Sequence, residues 1–411
     1  MRILHVNKFL YRRGGAEGYM EDLAALQVEA GHQVEFFAMA HPENRNATYA
    51  DRFPNHIELE PMPHGVVGKL KGAGRVLWST SARAGITQVV EEFKPDVVHL
   101  HNVYHQLSPS ILRPLGRMGV PAVMTLHDYK LVCPTYQLLD HGNLCEACVG
   151  GHFTEAIKRR CKGGSLSASA MVAFETWLHS ATRAYGPVGR FICPSRFLAG
   201  KMAEGGLFRD RLRCVPHFVD CSTIDVKGDA GGDIVFAGRL SPEKGVDTLI
   251  QAAGRLGALL HVAGEGPEAD SLAALADSVA PGLVRFHGRL PKAQLHELLR
   301  TASVVAVPSR WHENQPMIVL EAMACGVPVV ASDLGGLSEL IEPGVNGALT
   351  GADDPDALAG ALAPFLANPD SALTMGRAAR ARVAQDFSPA LHLARLEDSY
   401  IEAGAKAMVA A

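Results

Sequence analysis

No uninterrupted apolar stretch in the 411 residues approaches the roughly 18 that a membrane-spanning helix needs, although 47% of the chain is hydrophobic. Charge of one sign is also lacking. The net charge is −4 with 20% of residues charged, which gives no footing for nucleic-acid binding. The glycines after the first apolar run are not spaced G-x-G-x-x-G. No acidic residue is clearly placed after the second run for an NAD ribose, so a nicotinamide dehydrogenase is disfavoured. The opening MRILHVNKFLYRRGG puts its apolar run ahead of its main basic pair and lacks the layout of a secretory signal. A cytoplasmic protein with mostly reduced cysteines is the expectation.

What is present is alternation. The length suits two domains. In the first half the runs MRILHVNKF, HQVEFFAMA, PDVVHLHN, PAVMTLHD, GRFICPS and LRCVPHF read as strands, the last four as buried parallel ones. EGYMEDLAALQVEAG reads as a helix closed by Gly31. DIVFAG, ALLHVAG, VRFHG, VVAVPS and PVVAS repeat the plan in the second half, with helical patterns between them. Such repetition predicts an α/β protein of two Rossmann-like parallel-sheet domains facing across a cleft. The expected units are 1–218, with a cysteine-containing insertion at 133–161, then 219–388. A terminal helical stretch, 389–411, is free to pack back on the first domain. Up to Asp220 there are 25 Lys+Arg against 20 Asp+Glu, and beyond it 14 against 23. The mildly basic first half is either ordinary solvated surface or suited to a phosphorylated acceptor or anionic lipid.

Ligands of open α/β sheets bind beyond the carboxyl ends of the strands, so residues there come first. Arg239 and Lys244 in GRLSPEKG combine a forked donor, a point charge and a helix start, which suits a diphosphate. Gly264 and Gly266 in AGEGPE allow close backbone approach to a ligand or simply make a tight turn. Glu313 and Glu321 are eight apart, with Pro316 near a helix start between them. Their carboxylates suit sugar or ribose hydroxyls. Gly335 and Gly336 present N–H groups to a phosphate or sugar, or need positive backbone angles. In the first half Gly14 and Gly15 let a pyrophosphate approach the helix that Glu17 opens. His127, at the end of PAVMTLHD, is placed to hydrogen-bond a substrate hydroxyl. His99, His101 and His105 are weaker candidates; the 99/101 pair shares one strand face and suits satisfied structural residues.

Together these motifs resemble the family 4 glycosyltransferases, retaining enzymes of the GT-B fold, over nearly the whole chain. The most specific are GGAE near the start, GRLSPEKG, VAGEGPE, the Glu-x7-Glu element ending in EAMACGVPVVAS, and GGLSELI. The resemblance implies a nucleotide-diphosphate sugar, of UDP or GDP type, held by the second domain. Arg239 and Lys244 then contact the diphosphate, Glu321 the ribose and Glu313 the sugar. Gly15 lies beside the phosphates, and His127 faces the sugar near the reaction centre. The family often has Gly-Phe after the first glutamate; this chain has Asn314-Gln315-Pro316, so donor identity does not transfer. No D-x-D pair stands where a catalytic Mg²⁺ is expected, and metal-independent turnover follows as the expectation. The acceptor implied is a glycan or lipid-linked glycan of a surface polysaccharide, with peripheral contact at the cytoplasmic face of the inner membrane. The alternatives are a nucleotide-sugar epimerase of the same fold and a non-catalytic nucleotide-sugar-binding protein.

Cys133, Cys145, Cys148 and Cys161 form C-x11-C-x2-C-x12-C, adequate for four thiolates around zinc or, second, an iron–sulfur cluster. His141 or His152 is a substitute ligand, and four reduced thiols without metal fit equally well. Cys193, Cys214, Cys221 and Cys325 read as small buried side chains. VVGKLKGAGRVLW, residues 66–78, is better read as a solvated helix with a buried face than as a membrane contact.

Overall fold

The computed structural model describes residues 1–57, 74–228 and 231–407. In the first half, β1 (Arg2–Val6), β2 (Gln33–Phe37), β3 (Val97–Leu100), β4 (Ala122–Thr125), β7 (Arg190–Cys193) and β8 (Leu212–Cys214) form one sheet. Its order is β2-β1-β3-β4-β7-β8, with every pair parallel. A two-stranded hairpin, β5 (Leu139–Asp140) and β6 (Asn143–Leu144), lies in the cysteine segment. In the second half, β9 (Asp233–Ala237), β10 (Leu260–Ala263), β11 (Val284–Gly288), β12 (Ala302–Val307), β13 (Val329–Ser332) and β14 (Gly347–Thr350) form the other. That sheet runs β11-β10-β9-β12-β13-β14, again all parallel.

The apolar, β-branched composition explains the central strands. VVHL, AVMT, ASVVAV and VVAS are buried along their whole length, as strands covered by helices on both faces must be. The edges depart from that pattern. β8, expected as a buried strand, has only one neighbour and is half-exposed, with Cys214 at the surface. Cys221 is half-buried, whereas Cys193 and Cys325 are buried as expected.

The strand orders locate the sites. The first chain half runs β1 to β2 on one side, then crosses to β3 on the other. The second runs β9, β10, β11 one way and then crosses to β12. Each crossing opens a crevice at the carboxyl ends, between β1 and β3 and between β9 and β12.

The chain passes from one domain to the other twice. Val219 N–H donates to Phe387 O (3.0 Å) where the two passages meet. The helix Pro389–Glu402 then lies on the first domain, burying Leu396 and Tyr400 against Ile3, Tyr19, Val97 and Val123. Its Glu397 meets His32 (2.7 Å), and Glu402 meets Arg190 (2.7 Å) and Arg213 (2.6 Å). Most of 66–78 lies outside the described residues. Of the rest, Val76 is buried and Arg75 donates to Gln106 O (3.1 Å). Among the described residues no helix is long and apolar enough to cross a membrane.

Candidate functional site

At the second sheet's crevice, β9 leads through Gly238 and Arg239 into a single turn, Pro242–Lys244. Gly245 ends the turn at φ +66°, and a Cβ there would overlap the Pro308 carbonyl oxygen. The loops after β9 and β12 are therefore locked together, and they bring Lys244 to Glu313. Lys244 Nζ is 2.6 Å from Glu313 Oε1 and lies over the Trp311 ring at 5.2 Å. Ser309 Oγ donates to the same carboxylate oxygen (2.7 Å). Burial would push the Glu313 carboxyl up, but the Lys244 charge and the hydrogen bonds from Lys244 and Ser309 outweigh it and hold the group below the usual range. Arg239 is exposed, and its guanidinium has no hydrogen-bond or ion-pair partner among the described residues.

The glycines of this domain serve backbone approach. Gly264 sits at φ +146°, and a Cβ would overlap Gly238 O. Gly335, at φ +63°, has no room for a Cβ beside the backbone of Glu313, and Gly336 none beside Asn314 O. Glu321, on the helix Met317–Ala324, keeps different company from Glu313. Burial pushes its carboxyl up to about 7, and the charges it feels are Lys292, Asp22 and Arg12, two of them across the cleft. Lys292 Nζ donates to Asp22 (3.2 Å) from one domain to the other.

At the first sheet's crevice, Asn7 follows β1 and donates to Glu17 (3.2 Å) and Phe9 O (2.9 Å), while Asn102 N–H donates to Asn7 Oδ1 (3.0 Å). Gly15 opens the helix Gly15–Glu29 at the surface, with open space where a side chain would be. His127, two residues beyond β4, is half-buried. Its Nε2 is 3.1 Å from His101 Nδ1, and its ring stacks on His217 and His101. Burial holds the imidazole down to about 3, so it is neutral at physiological pH. His99 and His101 are fully buried and hydrogen-bonded; His105 instead meets Glu175 (3.0 Å), which also takes Lys130 (2.9 Å).

The loop after β12 joins the two halves. Tyr129 OH donates to His312 O (3.0 Å). Asn314 Nδ2 donates to Leu126 O (3.0 Å), and Ser195 Oγ donates to Asn314 Oδ1 (2.8 Å). Gln315 Oε1 accepts from His217 N–H (2.5 Å), and Glu339 accepts from the backbone N–H groups of Arg196 (3.0 Å) and Phe197 (2.6 Å). Asn314 thus hangs from the carbonyl next to His127. These bridging amides were not singled out as site residues from sequence. The departure from Gly-Phe after Glu313 was the available signal.

The four cysteines expected to hold metal are free thiols. Burial pushes Cys148 up to about 12 and Cys161 up to about 11, and the cysteines of the group add to each other's shift. Among the described residues, the group that presents three possible metal ligands within 4.8 Å is His5, His99 and His101, not the thiols. All six of those ring nitrogens already have hydrogen-bond partners.

Two parallel-sheet domains joined at their strand ends define a GT-B architecture. Comparison with known proteins takes this further. The model for Glycosyltransferase Family 4 matches residues 13–223, and that for Glycosyl transferases group 1 matches 226–382. The D-inositol 3-phosphate glycosyltransferase of Thermobispora bispora is 33% identical over 415 residues, covering 95% of this chain and 90% of that protein. The D-inositol 3-phosphate glycosyltransferase of Mycobacterium avium is 38% identical over 159 residues, 37% of each chain, so the match spans little more than a third of that relative. The chain belongs to glycosyltransferase family 4. Of solved structures, sucrose-phosphate synthase from Thermosynechococcus elongatus has a TM-score of 0.72 at 20% identity, over 98% of this chain and 100% of that one. HepE of Anabaena, in complex with UDP-glucose, has a TM-score of 0.67 at 19% identity, over 97% and 99%.

Proposed function

We propose that this protein is a retaining glycosyltransferase that moves a hexose-like unit from a nucleotide-diphosphate sugar to a glycan or lipid-linked glycan of a surface polysaccharide. The observation that carries the reading is the charged group at the β9/β12 crevice: an unpartnered Arg239 and the Lys244–Glu313 pair, with His127 on the facing domain. In transfer, the bond from the sugar's anomeric carbon to the diphosphate oxygen breaks. A bond to the acceptor oxygen forms on the same face, and the acceptor's hydroxyl proton passes to the leaving diphosphate. Arg239 and Lys244 offset the charge that gathers on that group, a task other enzymes give to a divalent metal. Glu313 orders the sugar hydroxyls, Glu321 the ribose, and His127 the sugar opposite. Gly15 and the Gly335 N–H lie beside the phosphates, with Gly264 shaping the loop beneath.

A UDP-type donor is favoured by HepE, the fold neighbour with UDP-glucose bound. A cavity of about 480 Å³ beside Lys130, lined also by Arg183, Tyr185 and Arg211, offers room for an acceptor in the more basic first half. Peripheral membrane contact at the cytoplasmic face fits a lipid-linked acceptor. A structural zinc at Cys133, Cys145, Cys148 and Cys161 would require those thiols to draw together and ionise.

Thermal unfolding with UDP-, GDP-, ADP- and dTDP-sugars tests the proposal. Stabilisation by one nucleotide class, lost in Arg239→Ala, is the expected result. Folded wild-type protein that none of them stabilises would overturn it.

A further inference from the structure

We infer that a single hydrogen-bonded chain, running from the Gln27 amide through the interior of the first domain, fixes His127 in the tautomer with its proton on Nε2, so that Nδ1 meets the substrate only as an acceptor. The inference rests on the reading of His127 as the residue that faces the sugar.

The chain begins at an obligate donor. Gln27 Nε2 donates to Tyr400 OH (2.9 Å), whose own proton goes to His99 Nδ1 (2.8 Å), and His99 Nε2 donates to Thr125 Oγ1 (2.7 Å). The other end of the amide, Gln27 Oε1, can only accept, and takes the proton of His5 Nε2 (2.7 Å), which leaves His5 Nδ1 to accept from His101 Nε2 (3.0 Å). His101 Nδ1 then accepts from His127 Nε2 (3.1 Å). Reversing any one link would set two protons or two lone pairs against each other elsewhere.

The logic needs each ring to carry one proton. Burial supplies that condition, holding His5 down to about 4 and His99 and His101 well below the usual value. His127 Nδ1 has no partner among the described residues. Gln27 and Tyr400 are positioning residues: neither lies at the cleft, and both act through His127. Tyr400 comes from the terminal helix, which gives that helix a part in the site beyond packing.

The test is long-range proton–nitrogen NMR on histidine-labelled full-length protein near pH 7. The His127 signals are assigned by their loss in His127→Gln. Wild type should show a neutral ring with Nε2 protonated and Nδ1 bare. Tyr400→Phe keeps the ring but removes the hydroxyl that holds the Gln27 amide, so the amide can turn and an Nδ1-protonated His127 should emerge. Gln27→Met should do the same, and if it fails to fold Tyr400→Phe decides alone. kcat/KM for donor should fall by about tenfold in Tyr400→Phe, the scale of one hydrogen bond. A wild-type His127 that is charged or protonated at Nδ1, or a spectrum unmoved by the variants, would overturn the inference. Unchanged turnover in His127→Ala, with the tautomer as stated, would instead remove His127 from the reaction and leave the chain standing.

Discussion

The two strand-end crevices that meet in this protein are built from opposite materials. At the β9/β12 crevice the loops are pinned backbone to backbone, with no space for a Cβ at Gly245, Gly264, Gly335 or Gly336, and the side chains they aim are charged. At the β1/β3 crevice Gly15 has open space around it, and the groups reaching toward the cleft from inside are neutral rings strung on hydrogen bonds. A charged group that must not reorganise while a diphosphate leaves needs a rigid frame, because preorganised dipoles and charges are worth most when they do not relax. A neutral imidazole needs direction more than rigidity, and the hydrogen-bond chain supplies it.

The contrast is broken most sharply at its glycines. Gly264→Ala places a methyl group on the Gly238 carbonyl at a backbone angle that L residues rarely adopt. Strain and overpacking together should cost about 4 kcal/mol, read from denaturant unfolding. Gly15→Ala, at the exposed first residue of a helix, should leave stability within about 0.5 kcal/mol of wild type. Equal losses in the two variants would erase the distinction between a pinned and an open crevice.

Next in size is the pair at the heart of the charged side. Lys244→Ala leaves Glu313 buried without its cation and should cost about 3 kcal/mol, since an orphaned buried charge is what makes breaking such pairs expensive. Adding Glu313→Gln should recover much of that stability but not donor binding. A single variant as stable as wild type would mean that the pair opens freely to solvent.

Most of this architecture was legible in the sequence, for a physical reason. Strands covered on both faces must be apolar throughout, so VVHL and ASVVAV announce themselves, and the loops that follow them carry the site. The edge strand β8 was misjudged because LRCVPHF is apolar enough for an interior that only one neighbour provides. The cysteines are a different case. Spacing along the chain says that four thiols can meet, and the fold does bring Cys133, Cys145, Cys148 and Cys161 near enough to feel one another, while among the described residues the three ligand atoms within 4.8 Å of one another are histidine nitrogens. The alternating His99 and His101 were rightly suspected as satisfied interior groups. Their partners were out of reach: Gln27 lies 22 residues from His5, and Tyr400 lies 301 from His99. Asn314 and Gln315 were visible as a departure from a family pattern, but only their contacts with Leu126, Ser195 and His217 give that departure a meaning, as amides that tie the charged crevice to the neutral one.

Glu321 sharpens the comparison because it belongs to the charged domain yet is held like the rings of the other. Its carboxyl, ordinarily near 4.5, is pushed up to about 7 by burial, with Asp22 adding to the shift and Lys292 and Arg12 opposing it. For an acid whose folded value is raised, the stabilising contribution is complete below about 4.5 and is lost as the pH rises through about 7. Glu321→Gln, neutral throughout, should therefore match wild type near pH 4. At pH 8 it should exceed wild type by about 2 kcal/mol, a value discounted because the carboxyl is only half-buried. Denaturant unfolding at the two pH values reads the difference directly. If Glu321→Gln gains nothing at pH 8, the carboxylate is solvated or paired with Lys292 of its own domain and Arg12 across the cleft. Glu321 would then join Glu313 as a second compensated charge, and the charged side of the cleft would extend to the first domain's own edge.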